Sequence, residues 1–455
     1  MSLMRDRRTS ELIDAYAAGR LSRRGFVSRL LALGLAPAVA GAVLAEAGAR
    51  TASAQASSVP KDVSGEMRFM IGPWTDQEVE HQQTIAAAFN QTYPNVKFTF
   101  KLFSWDSSGP EIDASLADGS HDIYYFGEGA YLARAKQGAF ADLTERINDP
   151  AWADEKAKYL YWDRLAAYGD KLIGLPICWH VEDALFVNLD KAKEAGHDAT
   201  FVDTWDGFVD CVTKMTKGDE TYGLGMGMQL GNFAEWYQRA RSAGGRFLTE
   251  DLSKPAINTP DVVIETQHLV DFFQKGIAPP LGTFNYDTAP DAFIAGRLAT
   301  YSSDLTIAAV LMGKPKPPAF EWAVLPWPPG VKERLSFNDI GLYGMNSKTP
   351  NPDLAWEVLK FWTSGPQGAY WTAVSGTYPA RSDALDYGFG EKGVKQLADS
   401  FEQFQKFSVG PEPFLQWGTI ESQAGQQAAQ AYSGEISAQD AVNNIEQIVN
   451  QEVFG

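Results

Sequence analysis

Gly65-Glu66-Met67-Arg68-Phe69-Met70-Ile71-Gly72, followed by Thr75-Asp76-Gln77-Glu78 and then Val96-Lys97-Phe98-Thr99-Phe100-Lys101-Leu102, decides the fold. In the first run Met67, Phe69 and Ile71 alternate with other residues, which is the period of a strand. Thr75 to Glu78 has the spacing of a capping box and predicts a helix through about Asn90, broken by Tyr93-Pro94-Asn95. The third run again has period two. A second helical piece over 109–116 leads to a β segment over 122–126. Strand, helix, strand, helix, strand predicts an α/β protein with a largely parallel sheet. In such a sheet ligands bind where strand C-terminal ends open into loops. Trp74, Trp105 and Glu128 all lie just past such ends.

The habit continues along the chain. Residues 172–187 read as a strand, 204–217 as a helix and 297–302 as a strand. Asn351-Pro352-Asp353 starts a helix with proline at its first position, and Ser437 caps a last helix with Ala441, Ile445, Ile448 and Val449 on one side. There is no internal repeat, and no low-complexity tract beyond the Pro-rich turn at 326–330.

Upstream, Ser22-Arg23-Arg24-Gly25-Phe26-Val27-Ser28-Arg29 precedes an apolar run of 16 residues, Leu30–Ala45, interrupted by Gly34, Pro37 and Gly41. A spanning helix needs ~20 apolar residues. Twin arginine, a modest apolar run and Ala54-Gln55-Ala56 together predict a Tat export signal over 1–56, cleaved after Ala56. No cysteine follows the apolar run, so a lipid-anchored mature end is not expected. The 399 residues that remain suggest two lobes. They carry 31 Lys and Arg against 53 Asp and Glu, a net charge of −22. That argues against nucleic acid or anionic lipid as partner.

Cys178 and Cys211 have neither C-x-x-C nor zinc-ligand spacing and are expected as buried free thiols. Histidines 81, 121, 180, 197 and 268 are scattered without H-E-x-x-H spacing, so no metal or other cofactor is expected. Gly223-Leu224-Gly225-Met226-Gly227 lacks phosphate-loop spacing and reads as a strand or tight turn.

Four further segments carry a resemblance. They are Gly169-Asp170-Lys171-Leu172-Ile173-Gly174-Leu175-Pro176 with Phe186–Asp190 and Thr204-Trp205-Asp206-Gly207-Phe208; Ala292-Phe293-Ile294-Ala295-Gly296-Arg297-Leu298-Ala299; Ala355-Trp356-Glu357-Val358-Leu359-Lys360-Phe361-Trp362-Thr363-Ser364; and Gly376-Thr377-Tyr378-Pro379-Ala380-Arg381. In this order and spacing, the chain from about Met67 onward resembles the extracytoplasmic solute-binding proteins of ABC importers, specifically the maltose-type sugar-binding family. It departs at Ile177–Glu182, which leaves the exact ligand open.

The resemblance implies a periplasmic-binding-protein-like fold: two α/β lobes, a hinge and an interlobe ligand cleft. One lobe would comprise 57–183 plus 341–376, the other 184–340 plus 377–455. It implies a non-catalytic monomer that delivers a sugar, oligosaccharide or polyol to membrane permease subunits. Composition agrees, because sugar C–H faces stack on aromatic rings while hydroxyls need fixed donors and acceptors. The candidate ligand-binding residues are Trp74, Thr75, Trp105, Asp106, Glu128, Trp179, His180, Trp236, Tyr301, Ser303, Asp304, Asn338, Tyr378, Arg381 and Trp417. For each polar one, a helix cap or surface charge is the plainer reading. Other readings stay open: a glycerophosphodiester, an amino or sulfonated sugar, or a polyamine as ligand, or a secreted glycoside hydrolase with two opposed carboxylates. Tyr124-Tyr125 gives little support to a ferric site, since neighbouring strand residues face opposite sides.

Overall fold

The computed structural model describes residues 59–105, 108–226, 232–389 and 394–455, together with Arg29. The rest of the export segment, Asp106 and Gly227 lie outside the described residues.

Two sheets organise the chain. The first is built from β1 (Ser64–Ile71), β2 (Asn95–Leu102), β3 (Ile123–Gly127), β4 (Leu175–Val181), β9 (Ser336–Met345) and β10 (Tyr378–Pro379), in the order β10-β4-β9-β3-β1-β2, with β11 (Ser408–Val409) beside β9. The second comprises β5 (Ala184–Asn188), β6 (Tyr222–Gly225), β7 (Leu298–Ser303) and β8 (Trp322–Leu325), in the order β8-β5-β7-β6. The expected parallel pairing holds for β1 with β2 and β3. It fails for β9, which runs antiparallel to both β3 and β4. The chain has by then visited the second sheet and re-enters the first from the opposite end.

The stretch read as one strand over 172–187 is two, β4 and β5, separated by Glu182-Asp183. At that break the chain leaves the first sheet for the second. A second expectation also needs correction. Residues from 377 onward were assigned to the second lobe, but Tyr378 and Pro379 pair with Trp179 and Cys178 in the first sheet. Likewise β9 already pairs with β4 at Asn338, ahead of the expected return at 341.

Helix α1 (Glu78–Phe89) packs on α5 (Pro352–Trp362) and α6 (Gly365–Ser375) over the first sheet. Indole N–H groups of Trp362 and Trp371 donate to Gln82 and Glu78, each at 2.8 Å. An aromatic side chain of this size removes roughly 150–250 Å² from water, about 4–6 kcal/mol at ~25 cal/mol per Å². The capping box does not form. The helix begins at Glu78, and Thr75 Oγ1 is buried without a hydrogen-bond partner. Glu78 is instead pulled inward by Trp371, and its carboxyl is raised to about 6 because burial outweighs the bonds from Gln82 and Trp371. Helix α6 ends at Gly376, whose φ of +76° is left-handed. A Cβ there would lie 3.0 Å from Ala309 Cβ and 3.1 Å from Thr306 Cα, where the chain enters α4 (Ile307–Gly313).

A second core surrounds α3 (Phe233–Ser242), α7 (Trp417–Tyr432) and α8 (Ala438–Phe454). In the same core, α2 (Trp205–Met215) starts on Thr204, whose Oγ1 accepts from Gly207 N–H at 3.1 Å. Ser437 caps α8 in the same way. Both cysteines are free and buried, as expected.

Candidate functional site at the boundary of the two sheets

Register places one edge of the first sheet against the second. Gly127, ending β3, pairs with Gly341, and His180, near the end of β4, pairs with Asp339. Trp74 follows β1 on the same edge. From the second sheet, β7 ends at Ser303, paired with Ala184 immediately after the crossing. Leu305 N–H then donates to Val181 O at 3.2 Å, and Phe337 N–H donates to Gln238 Oε1 of α3 at 3.0 Å. Strand ends from both sheets therefore converge on the Glu182-Asp183 crossing.

Trp74 is held edge-to-face by four rings: Trp105 and His180 at 5.2 Å, Tyr125 at 5.3 Å and Trp371 at 5.7 Å. Such contacts fix a ring more firmly than area burial alone. Its indole N–H is covered yet has no hydrogen-bond partner. Trp105 beside it remains 48% exposed.

Carboxylates crowd the same place. Glu128 is fully buried and bonded by Arg164 at both oxygens and by Tyr168 at 2.9 Å. Burial still raises its pKa, although Arg164 opposes the rise. Asp339 fits against the end of β3 because Gly127 has no side chain; a Cβ there would lie 2.3 Å from Asp339 Oδ2. Gly129 N–H donates to Asp339 Oδ1 at 3.3 Å. Burial, reinforced by the charge of Glu128, pushes the Asp339 carboxyl up to about 7. From α7, Glu421 meets Glu182 and Asp339; burial first, then those two charges, push it up to about 8. Burial also raises Asp304. His180 Nε2 lies 2.9 Å from Glu182 Oε1. Burial disfavours the imidazolium, but Glu182 outweighs it and holds the pKa well above the usual value.

Not every residue expected here arrives. Trp74, Thr75, Trp105, Glu128, His180, Ser303 and Asp304 lie at or beside the boundary, and Asn338 joins through its bond from Arg164. Tyr301 is buried between Phe186 and Phe293 just before them. Trp417 is mostly a core residue, packed on Phe233, Tyr237 and Phe337, with only its indole edge against Gly129. Four are elsewhere. Trp179 packs on Tyr161, Tyr378 and Phe401 on the opposite face of β4, because alternate strand residues point to opposite sides. Tyr378 bonds Ser400 beneath it. Trp236 is interior and donates to Thr266 at 3.0 Å. Arg381 is 4% exposed, stacked on Tyr159 and paired with Glu155 and Asp383.

Arg164, Trp371 and Glu421 were missed. Glu421 had a signal, since it stands four residues after Trp417 on one helix and so shares its face. Arg164 had none: it lies in a short helix, Trp162–Ala166, and its partners Glu128 and Asn338 are 36 and 174 residues away in sequence.

Comparison with known proteins places this architecture among solved folds. An ABC substrate-binding protein of Listeria monocytogenes in complex with cycloalternan is similar with a TM-score of 0.75 at 17% identity, covering 86% of this chain and 99% of that one. Maltose-bound MalE3 of T. maritima is similar with a TM-score of 0.75 at 18% identity, covering 85% and 100%. At these identities the likeness is one of fold. Among curated sequences, an uncharacterized lipoprotein of Streptomyces antibioticus is 26% identical over 294 residues, 60% of this chain and 61% of the relative. A maltotriose-binding protein of Pyrococcus abyssi is 25% identical over 169 residues, 33% and 36%. The matched part is under two thirds of either curated relative. The model of the bacterial extracellular solute-binding protein family matches residues 84–399, well over half of the chain, and the chain belongs to that family.

Proposed function

We propose that the protein binds a sugar, oligosaccharide or polyol between its two sheets and hands it to the membrane permease of an ABC importer. The observation that carries this is the edge on which Trp74 and Trp105 stand beside His180, Glu182 and Asp339, where strand ends of both sheets meet. An aromatic face suits sugar C–H groups, and fixed carboxylates accept from hydroxyls. The names of similar proteins agree: those structures hold cycloalternan and maltose, and one relative is a maltotriose-binding protein.

The binding step is closure. A ligand that touches Trp74 and Asp339 on one side and Asp304 and Glu421 on the other favours the arrangement in which all are close. No chemical step is assigned to the carboxylates. Export through the Tat route, cleavage after Ala56 and a monomeric state complete the reading, as does a division near Glu182-Asp183 and the segment before β9.

A thermal-shift screen of saccharides and polyols tests it. A ligand at 100 times its dissociation constant adds about 2.7 kcal/mol to stability and raises the melting temperature accordingly. No shift with any saccharide or polyol overturns the proposal, and turnover of an aryl glycoside replaces it with an enzyme.

A further inference from the structure

We infer that the preferred solute carries a protonated amine alongside its hydroxyls, as an amino-substituted sugar or polyol does. This rests on the reading of the boundary as the solute site. The argument is one of charge and of unmet hydrogen bonds together. Glu128 and Asp339 flank the end of β3, Glu182 stands at the crossing against His180, and Glu421 comes from α7 one turn after Trp417, whose indole edge lies on Gly129; among the described residues the cations beside them are Arg164 and His180. Arg164 is already committed to Glu128 and Asn338, and His180 to Glu182. The charges acting on Glu421 are those of Glu182 and Asp339, both negative. Bringing like charges together in a covered space is unfavourable unless a proton or another cation enters.

Beside the carboxylates, covered ring nitrogens lack partners. His180 is 8% exposed; its Nε2 faces Glu182, and its Nδ1, a donor in the imidazolium form that Glu182 favours, is covered without a hydrogen-bond partner. Trp74 Nε1, 5.2 Å away ring to ring, is in the same condition. Donors need oxygen on the ligand; the carboxylates, which hold protons when no solute is bound, can exchange these for a positive charge. A simple polyamine meets only the second demand and a neutral sugar only the first. An ammonium would also gain from the faces of Trp74 and Trp105.

Matched probes separate these cases. Glucosamine and chitosan oligosaccharides are compared with glucose, N-acetylglucosamine, their oligomers and spermidine, by thermal shift and then calorimetry on the exported chain. The expected result is that an amine-bearing saccharide binds at least tenfold more tightly than its N-acetylated counterpart. Glu421→Gln should shrink that ratio toward one while leaving the unliganded melting temperature unchanged or higher. Equal or tighter binding of the neutral counterpart overturns this inference and leaves the sugar reading standing. Binding of spermidine alone overturns both, as does no binding by any probe. A ratio that Glu421→Gln leaves intact overturns the role given to this cluster.

Discussion

The Asp339 carboxyl keeps its proton to about pH 7 because burial and Glu128 both oppose its charge. An acid raised on folding is protonated longer in the folded than in the unfolded chain. Its contribution is complete below the ordinary carboxylate pKa of ~4 and is lost as pH rises through about 7. Asp339→Asn should therefore flatten the decline of stability between pH 4 and 7, and at pH 8 exceed the parent by about 1–3 kcal/mol. Urea melts at several pH values measure this, and identical profiles would refute it. Arg381 behaves oppositely. Its removal strands Asp383 and leaves Glu155 to Lys158 alone, and should cost about 1–3 kcal/mol, without a change in ligand affinity. The contrast shows what sequence could and could not say. Glu128 was visible because strand ends mark the binding edge. Arg381 looked like a ligand group because its partner Glu155 lies 226 residues away, a distance no local pattern reveals.

Among elements, the strands were the most legible. β1 and β2 alternate apolar residues, β3 is a short continuous apolar run, and all three fall within a residue or two of their expected bounds. Two readings failed for tertiary reasons. β4 and β5 are both buried throughout, so their apolar runs merged across the crossing. At α1, a buried bond from Trp371 claims Glu78 and the cap is forgone. Helix α7 is the element whose part in the site was least visible, since it presents Trp417 and Glu421 from the far end of the chain. Because Trp417 is 2% exposed among aromatic rings, Trp417→Ala should cost about 3–5 kcal/mol of stability as well as weaken binding. A denaturant midpoint unchanged from the parent would contradict that packing role.

For the whole molecule, closure as proposed would couple proton uptake to the approach of the two sheets. Glu421, pushed up to about 8 by burial and by Glu182 and Asp339, and Asp339, pushed up to about 7 by burial and by Glu128, hold protons while they stay covered beside those carboxylates. Separation exposes both acids to water and lowers their pKa toward ordinary values. The close arrangement is thus favoured at acid pH and loses that advantage as pH rises through 7 to 8. Small-angle scattering of the unliganded protein should show a larger radius of gyration at pH 8.5 than at pH 5.5, and Glu421→Gln should reduce the difference. A radius independent of pH would sever the coupling.

Gly376 sits where α6 ends against Thr306 and Ala309, with room for hydrogen and nothing more. A methyl there would act as a doorstop. Gly376→Ala should leave each half folded yet hold them slightly ajar, so that bound solute escapes faster while its rate of entry barely changes. On the proposed function, how readily cargo is surrendered would then be tuned by a residue that never meets it.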